Sequence, residues 1–442
     1  MATIAKVAQA VQDVFSIHAV AAARESKVIK RVRSFTPESL AKTFVLTWLG
    51  NPQATLDEMA QTAAICGTPV SPQAVDQRFN SQLADFFRLL LEKVVAQVIS
   101  ADPVETEFMR RFNGIYLLDS SIVPLPLELQ PFFPGCGGGL KGQSNAAMKL
   151  QFRFNLSKGE LRGPLQGNAR GNDYHSEIQT AELPAGSLRV ADLGYFSCEH
   201  LQQFSQDDVY WLTRLLRVTA IFDTCDEPIV LWKWLRRQKV STVDMPVKLG
   251  ASHRLPCRLL ATRVPSQVVR KRRKALRKQA QNKGQPVTAE QLEWTRWTIL
   301  VTNVPPEKLT LSEALTVCRA RWQIELLIKL FKQSSDLAHS RGGDPWRILA
   351  EIYAKLIGQV IQHWLLLVSS WETPHRSLTR AAKVVRNHAI ALVSMLNNTR
   401  LLRRIVRTLQ AALVQAAKLD KRSKRPNHRQ LLENPDLGTG LT

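Results

Sequence analysis

The run Arg321-Trp322-Gln323-Ile324-Glu325, with Lys332 seven residues further on, combines residue types and spacings that suit chemistry on an anion. On a helix at about 100° per residue, with Glu325 set at 0°, Arg321 falls at about −40°, Lys332 at about −20°, Lys329 at about +40° and Trp322 at about +60°. Apart from Gln323, the remaining circumference is apolar: Ile324, Leu326, Leu327, Ile328, Leu330 and Phe331. A helix that apolar packs on several sides. A narrow stripe with one carboxylate among three cations then reads as a carboxylate aimed into a site, with cations placed for an anionic ligand. The plain alternative is a salt-bridge ladder on a core helix, because Arg–Glu pairs at i,i+4 are common.

Two aspartates each close a short apolar run. Ile115-Tyr116-Leu117-Leu118 ends at Asp119-Ser120-Ser121, and Ser187-Leu188-Arg189-Val190-Ala191 ends at Asp192. Such runs predict strands, and at strand ends side chains leave the packed sheet and face a crevice. Three carboxylates from separate segments suit two Mg²⁺ or Mn²⁺ ions, which take hard oxygen ligands. Held roughly 3.5–4 Å apart, two such ions activate a water or a 3′-hydroxyl and stabilise the leaving oxygen of a phosphodiester. Asp119, Asp192 and Glu325 are therefore the candidate metal ligands and catalytic residues. Arg321, Lys332 and Lys329 are candidate phosphate holders, with Trp322 beside them. An aspartate after a β run is by itself an ordinary turn or cap residue; the combination is the signal. His175, His200 and His253 have no metal-like partners at i+3 or i+4, and no nucleophile elbow surrounds Ser120 or Ser121. Gly137-Gly138-Gly139 with Lys141-Gly142 lacks the order of a phosphate-binding Walker loop.

The chain carries 60 Lys and Arg against 37 Asp and Glu, a formal charge of +23. That balance points to nucleic acid as the leading partner and an anionic membrane surface as the second. The basic segments lack the apolar face that membrane binding needs, so no membrane is expected. With 45% hydrophobic residues the chain can bury a large core, and its length suggests roughly two to four domains. Met1–Ala23 shows no secretory pattern. The apolar run Leu356–Ser370 falls short of the ~20 residues of a membrane span and predicts a buried helix. Six scattered cysteines indicate neither a zinc site nor a disulfide framework, and a reducing cytoplasm is expected.

The elements that must position these residues fall into five segments. Residues 1–110 are expected to be helical and helix-turn-helix-like. Thr36 caps a helix before Pro37, Leu56–Cys66 forms another, and Ser71 caps a last helix over Pro72–Phe79. That last helix would turn Gln73, Gln77 and Arg78 outward toward phosphates and base edges. In 111–215, Lys149–Leu156 alternates as a half-buried strand does, and Glu160–Gln166 pairs with it across Ser157-Lys158-Gly159. A short helix near Ser176–Leu183, a helix over Glu199–Phe204 and the run Val209–Arg214 follow, with Arg214 a further phosphate candidate. In 216–300, short β pieces (Ile229–Trp232, Met245–Leu249, Cys257–Arg263) surround a basic helix, Arg270–Lys283, whose Arg272 and Arg273 are candidates for phosphates. Glu293–Thr302 is a strand-like return holding Trp294 and Trp297. Residues 301–370 return to helix with Arg319–Lys332 and Trp346–Trp364. Residues 371–442 are helical through Leu378–Leu413 and end in a basic tail with Lys418, Lys421, Arg422, Lys424, Arg425 and Arg429.

Taken together, Asp119 in Leu-Leu-Asp-Ser-Ser, Asp192 in Asp-Leu-Gly-Tyr-Phe, and Arg321…Glu325…Lys332 resemble the motifs of bacterial DDE transposases. The spacing is similar to the Tyr-(2)-Arg-(3)-Glu-(6)-Lys signature of the insertion-sequence family four. Gln-Arg-Phe-Asn at 77–80 is family-like too, and the resemblance runs over about residues 36–370. It departs at the signature tyrosine, which falls on Cys318. The resemblance implies a mixed α/β, RNase H-like core with a β-rich insertion between Asp192 and Glu325, flanked by helical N- and C-terminal regions. It implies a DNA transposase that cuts and joins element ends with two Mg²⁺ or Mn²⁺ ions on Asp119, Asp192 and Glu325, by cut and paste. A homodimer on paired ends of double-stranded DNA is implied as partner state, with the C-terminal helices as its candidate interface. An insertion tryptophan, Trp297 or Trp294, would stack on a flipped base, although a core or strand-packing tryptophan is the readier reading of either. Cys318 leaves open a catalytically weakened DNA-binding descendant, and the carboxylates alone leave open a metal-dependent nuclease.

Overall fold

The structure is a computed structural model that describes residues 3–136, 145–368, 377–396, 398–417 and 428–438. The glycine-rich segment 137–142 and the tail residues Lys418, Lys421, Arg422, Lys424 and Arg425 lie outside the described residues, as does the side chain of Arg429. Two compact units are present. The first comprises Met1–Val104, Asp119–Gly171 and Ile324–Asp420; the second comprises Glu105–Leu118, Asn172–Gln323 and Lys421–Thr442.

The strands are β1 (Ile115–Leu125), β2 (Ala146–Asn155), β3 (Leu161–Asn168), β4 (Leu188–Ala191), β5 (Tyr210–Arg214), β6 (Ile221–Phe222), β7 (Thr242–Leu249), β8 (Leu255–Arg263) and β9 (Trp297–Thr302). Their hydrogen-bonded order is β3-β2-β1-β4-β5-β9-β8-β7-β6. β1, β4 and β5 run parallel, and β9, β8, β7 and β6 follow antiparallel. The sheet is therefore mixed, as the resemblance implies, with helices flanking it.

In the first unit the N-terminal part is helical, as expected. Thr36 caps Pro37–Gly50 in a capping box with Ser39, and Thr55 does the same with Glu58 for Leu56–Ile65. The helix capped by Ser71 is shorter than the sequence suggests. It ends at Asp76 with Gln77 as its C-cap, and Asn80 caps a new helix, Ser81–Ala96. The reason is Phe79, whose ring packs 5.5 Å from Phe44 and 6.5 Å from Trp48, drawing the chain out of the helix. Helix Pro345–Leu367 is buried along nearly its whole length and packs against Ser81–Ala96 and Pro37–Gly50. No helix among the described residues is long and apolar enough to cross a membrane.

The β2–β3 hairpin forms across the expected turn, with the Asn155 side chain accepting from the Ser157 and Lys158 amides. β2 is not half-buried, however. All ten of its residues are buried, Lys149, Gln151 and Arg153 included. Lys149 is accommodated because its ammonium reaches the Gly171 carbonyl, which meets the need of a buried donor.

In the second unit a core of Trp211, Leu235, Leu249, Leu259, Trp297 and Val301, with other buried residues, holds β5–β9 together. Three local expectations change here. Ile229–Trp232 is not β-like: helix Leu231–Arg237 starts within it. Glu293 and Trp294 end a helix, Ala289–Trp294, which Thr288 and Gln291 start with a capping box, so the strand begins only at Trp297. The expected helix Arg319–Lys332 is two helices, Leu311–Ala320 and Trp322–Ser335, with Arg321 as C-cap of the first.

Candidate active site

In the first unit, Asp119, Ser120 and Ser121 of β1 and Glu325, Lys329 and Lys332 of helix Trp322–Ser335 line one cavity of about 450 Å³. Asp119 lies inside β1 rather than at its end, because the strand continues through Val123 and Leu125, both buried. Its carboxylate Oδ1 accepts from the Ser120 amide at 2.9 Å. Lys332 Nζ donates to Ser121 Oγ at 3.1 Å and to the Ile122 carbonyl at 2.9 Å. Burial lowers the pKa of Lys332. Lys329 is exposed.

The helix that carries Glu325 is fixed on its apolar side and at its end. Ile324, Leu327, Ile328, Leu330 and Phe331 are buried, and the Phe331 ring packs edge-on against Phe152 of β2 at 5.2 Å. Arg386 Nη2 donates to the Ser334 carbonyl at 2.9 Å. Beyond the helix, Lys355 donates to the carbonyls of Asp336 and His339 at 3.3 and 3.5 Å while paired with Glu351 at 2.6 Å in the interior. Carboxylates of Asp119 and Glu325 in one cavity are hard oxygen donors that fit a divalent cation. Among the described residues, no three His, Cys, Asp or Glu side chains stand grouped as a ready cage.

In the second unit, β1 and β4 pair in parallel up to Leu118↔Ala191. Asp119 and Asp192 are the residues that follow this pair along each strand. Asp192 opens the 3-10 turn Leu193–Tyr195, its carbonyl accepting from the Tyr195 amide at 3.0 Å. A Cβ at Gly194 would stand 3.0 Å from Asp173 Oδ2, so the Asp173 carboxylate lies close over this turn.

A second cavity, of about 380 Å³, belongs wholly to the second unit. Arg214, Cys318, Arg319, Arg321, Trp322 and Leu431 are on its wall. Trp322 is 56% exposed. Arg319 is a residue that the sequence reading passed over. The signal was available: a second arginine two residues before Arg321.

The remaining candidates are dispersed. Arg272 Nη1 donates to the Trp297 carbonyl at 2.8 Å and Nη2 to Thr298 Oγ1 at 3.0 Å, and Arg273 Nε donates to Thr295 Oγ1 at 3.3 Å. These two arginines tie the basic helix, Ser266–Asn282, to β9 and the turn before it. The exposed cations of that helix are Arg270, Lys271, Lys274, Arg277 and Lys278. Trp297 takes the packing role, the readier reading for it. It is 2% exposed within the core, its Nε1 donates to Glu293 at 3.2 Å, and the Arg263 guanidinium lies 5.0 Å from its ring centroid. Trp294 instead lines a cavity of about 480 Å³ with Arg217, Arg272, Lys283 and Gln291, and its buried Nε1 has no hydrogen-bond partner. Gln73 and Gln77 are exposed, whereas the Arg78 guanidinium lies 5.3 Å from the Phe35 ring centroid.

A family model described as the transposase DDE domain matches residues 110–360. The transposase for insertion sequence element IS231F of Bacillus thuringiensis subsp. israelensis is 25% identical over 427 residues, 88% of this chain and 87% of that protein. The transposase for insertion sequence element IS1151 of Clostridium perfringens is 21% identical over 373 residues, 78% of this chain and 77% of its own. A shorter match, 32% identical over 110 residues, covers 25% of this chain and 29% of the putative transposase InsL for insertion sequence element IS186A of Escherichia coli (strain K12).

Proposed function

The chain belongs to the transposase DDE-domain family of bacterial insertion sequences, enzymes of DNA cleavage and strand transfer, and from that premise we propose that Asp119, Asp192 and Glu325 are its catalytic carboxylates. The observation that carries this assignment is the cavity shared by Asp119, Glu325, Lys329 and Lys332. The parallel register of β1 and β4, which brings each strand to an aspartate at the same step, supports Asp192 as the third member.

Two Mg²⁺ or Mn²⁺ ions, when bound, would activate the attacking oxygen and stabilise the leaving one. Asp119, Asp192 and Glu325 would supply the oxygen donors. Lys332 uses two of its three donors on Ser121 and Ile122 and presents the third to a phosphate oxygen. Lys329, Arg321 and Arg214 add positive charge for the strand. In the first step water oxygen bonds to phosphorus as the 3′-oxygen leaves as a hydroxyl. That hydroxyl then attacks a second phosphodiester, in the opposite strand to form a hairpin or in target DNA to join the element.

In this reading the protein works by cut and paste on double-stranded DNA in the bacterial cytoplasm, as a homodimer on paired ends. The C-terminal helices are the proposed dimer interface, and the exposed Gln73 and Gln77 of the N-terminal helices the proposed end-reading groups. The Arg321, Glu325 and Lys332 spacing supports membership of the insertion-sequence family four. Trp294, rather than Trp297, is the proposed stacking residue. A second reading, a DNA-binding protein with weakened catalysis, is favoured by Cys318 alone, which puts a thiol where the signature has a phenol.

The test is to incubate purified protein with its element's end DNA and Mg²⁺ or Mn²⁺, beside Glu325→Gln. Metal-dependent cleavage and joining that vanish in the variant support the assignment. Binding without cleavage in both proteins favours the second reading, and cleavage without joining favours a nuclease.

A further inference from the structure

Helix Pro345–Leu367 is apolar and buried, yet one stripe of it is charged. Arg347, Glu351 and Lys355 follow one another at a spacing of four, which places them on one face. Glu351 and Lys355 are buried and paired at 2.6 Å. A buried ion pair adds little or nothing to stability over apolar residues of its size, so stability alone does not account for this pair. The face holds the segment that leaves helix Trp322–Ser335, the helix of Glu325. Lys355 Nζ donates to the Asp336 and His339 carbonyls at 3.3 and 3.5 Å. Ser340 Oγ donates to Glu351 Oε2 at 2.7 Å. The Gly342 backbone lies on the Arg347 stem, where an added Cβ would stand 2.5 Å from Arg347 Cδ. The same face reaches the N-terminal helices. Arg347 Nη1 donates to Asp76 Oδ1 at 2.9 Å, and its guanidinium lies 4.6 Å from the Phe79 ring centroid. Beside it, Gln53, in the turn between helices Pro37–Gly50 and Leu56–Ile65, donates to the Asp336 carboxylate. Asp336 is left-handed at φ 48°, a conformation that costs a residue other than glycine and persists where its surroundings hold it. All these residues belong to the first unit.

We infer that Arg347, Glu351 and Lys355 are positioning residues for the reaction, which tie the end of the Glu325 helix to the N-terminal helices. Through that tie the proposed end-reading helix, Pro72–Asp76, and Glu325 meet one DNA end in a fixed relation. The inference rests on the reading of Glu325 as a catalytic carboxylate. A helix is stiff over the 11 residues from Glu325 to Asp336, so a shift at its end is felt at Glu325. A misplacement of about 1 Å at a reacting group costs roughly 100-fold in rate.

The full chain is tested with changes at both ends of the face. Glu351→Gln with Lys355→Met removes both buried charges together, so that neither is left alone. Arg347→Met removes the tie to Asp76, and Arg347→Lys keeps its charge. Single-turnover cleavage of saturating end DNA, end-DNA affinity and hydrogen exchange at 326–340 are read on each. Cleavage in the bound complex falls roughly 10–100-fold in the double variant and about tenfold in Arg347→Met, while affinity stays within about twofold. Arg347→Lys recovers most of the rate. All three substitutions together lower it no further than the double variant, because they act on one tie. Exchange at 326–340 quickens in Arg347→Met, although Arg347 lies on another helix. An arginine with a local structural role would quicken it only around 72–79 and 345–349. If the double variant fails to fold, Arg347→Met and Arg347→Lys carry the same readouts. Wild-type cleavage per bound complex in Arg347→Met, or unchanged exchange at 326–340, overturns the positioning role. A Glu325→Gln variant that cleaves as well as the wild type strikes down the catalytic reading, while faster exchange at 326–340 in Arg347→Met leaves the tie standing.

Discussion

Two cavities of this molecule hold cations in opposite states. In the first unit, Lys332 is satisfied by protein, with Ser121 Oγ and the Ile122 carbonyl at 3.1 and 2.9 Å. In the second unit, both terminal nitrogens of Arg319 are buried and unpartnered. A cation paired within the protein serves the fold as well as the ligand, so its removal is felt in both. A cation left unpaired loses no protein hydrogen bond when it is removed, so its removal costs the fold less. The first cavity also contains carboxylates, Asp119 and Glu325, and the second has none on its wall. The proposed function puts the chemistry in the first cavity, the one of the two with carboxylates on its wall.

The largest effect tests that assignment directly. Glu325→Gln lowers the single-turnover cleavage rate by on the order of 10³-fold or more while DNA affinity changes little. Loss of DNA binding with preserved cleavage per bound complex would make Glu325 a DNA-binding group and erase the contrast. Next in size is Lys332→Met, which removes a charge and two hydrogen bonds. Cleavage falls by roughly 10–100-fold, and urea melts show a stability loss of about 1–3 kcal/mol. Lys329→Met, on an exposed residue of the same cavity, leaves stability within about 0.5 kcal/mol. Equal stability losses in the two variants would show that the Lys332 bonds contribute nothing to the fold.

The same distinction is sharpened on one helix, Ser266–Asn282. Arg272 donates to the Trp297 carbonyl and to Thr298 Oγ1, whereas Arg277 is exposed. Arg272→Met is expected to destabilise by about 1–2 kcal/mol in denaturant melts. Arg277→Met leaves stability within about 0.5 kcal/mol and flattens the salt dependence of DNA binding by about 0.9. If Arg272→Met flattens the salt slope and leaves stability intact, Arg272 is a phosphate contact after all.

Much of this arrangement was legible because it is local. Capping residues Thr36 and Ser71 stand where the helices start, and the parallel strands at 115 and 188 are marked by their apolar runs and the aspartates that follow those runs. What escaped depends on partners distant in sequence. The alternation in Lys149–Leu156 is that of a half-buried strand, and the carbonyl of Gly171, distant in sequence, helps Lys149 to be buried as well. Ser120-Ser121 looks like the end of a strand, yet β1 continues to Leu125, with Ser121 bound by Lys332 from far along the chain. Trp294 and Trp297 cannot be told apart by composition. The capped helix Ala289–Trp294 decides it, leaving Trp297 to begin the strand and fill the core. Arg319 was missed for a related reason: a helical wheel centred on Glu325 treats 319–332 as one helix, whereas the chain breaks at Arg321.

The smallest expected effect separates the two roles of Lys332 within one residue. Burial lowers its pKa below that of an ordinary lysine. The unfolded chain therefore binds more protons than the folded one in the window between the lowered and the ordinary value. By linkage, the contribution of this group to stability rises with pH through that window. The neutral amine can still donate to Ser121 and Ile122, so the fold keeps those bonds. The charge offered to a phosphate is lost as pH rises through the lowered value. Cleavage should accordingly decline on the alkaline side before the ordinary lysine value is reached, with no matching loss of stability from this group. Lys332→Arg keeps its charge throughout that range, so its pH–rate profile should lack that decline even if its rate is lower. Single-turnover profiles from neutral to alkaline pH, with melts at the same pH values, read both quantities. An identical alkaline limb in Lys332→Arg would assign the decline to another group and leave Lys332 with its structural role alone.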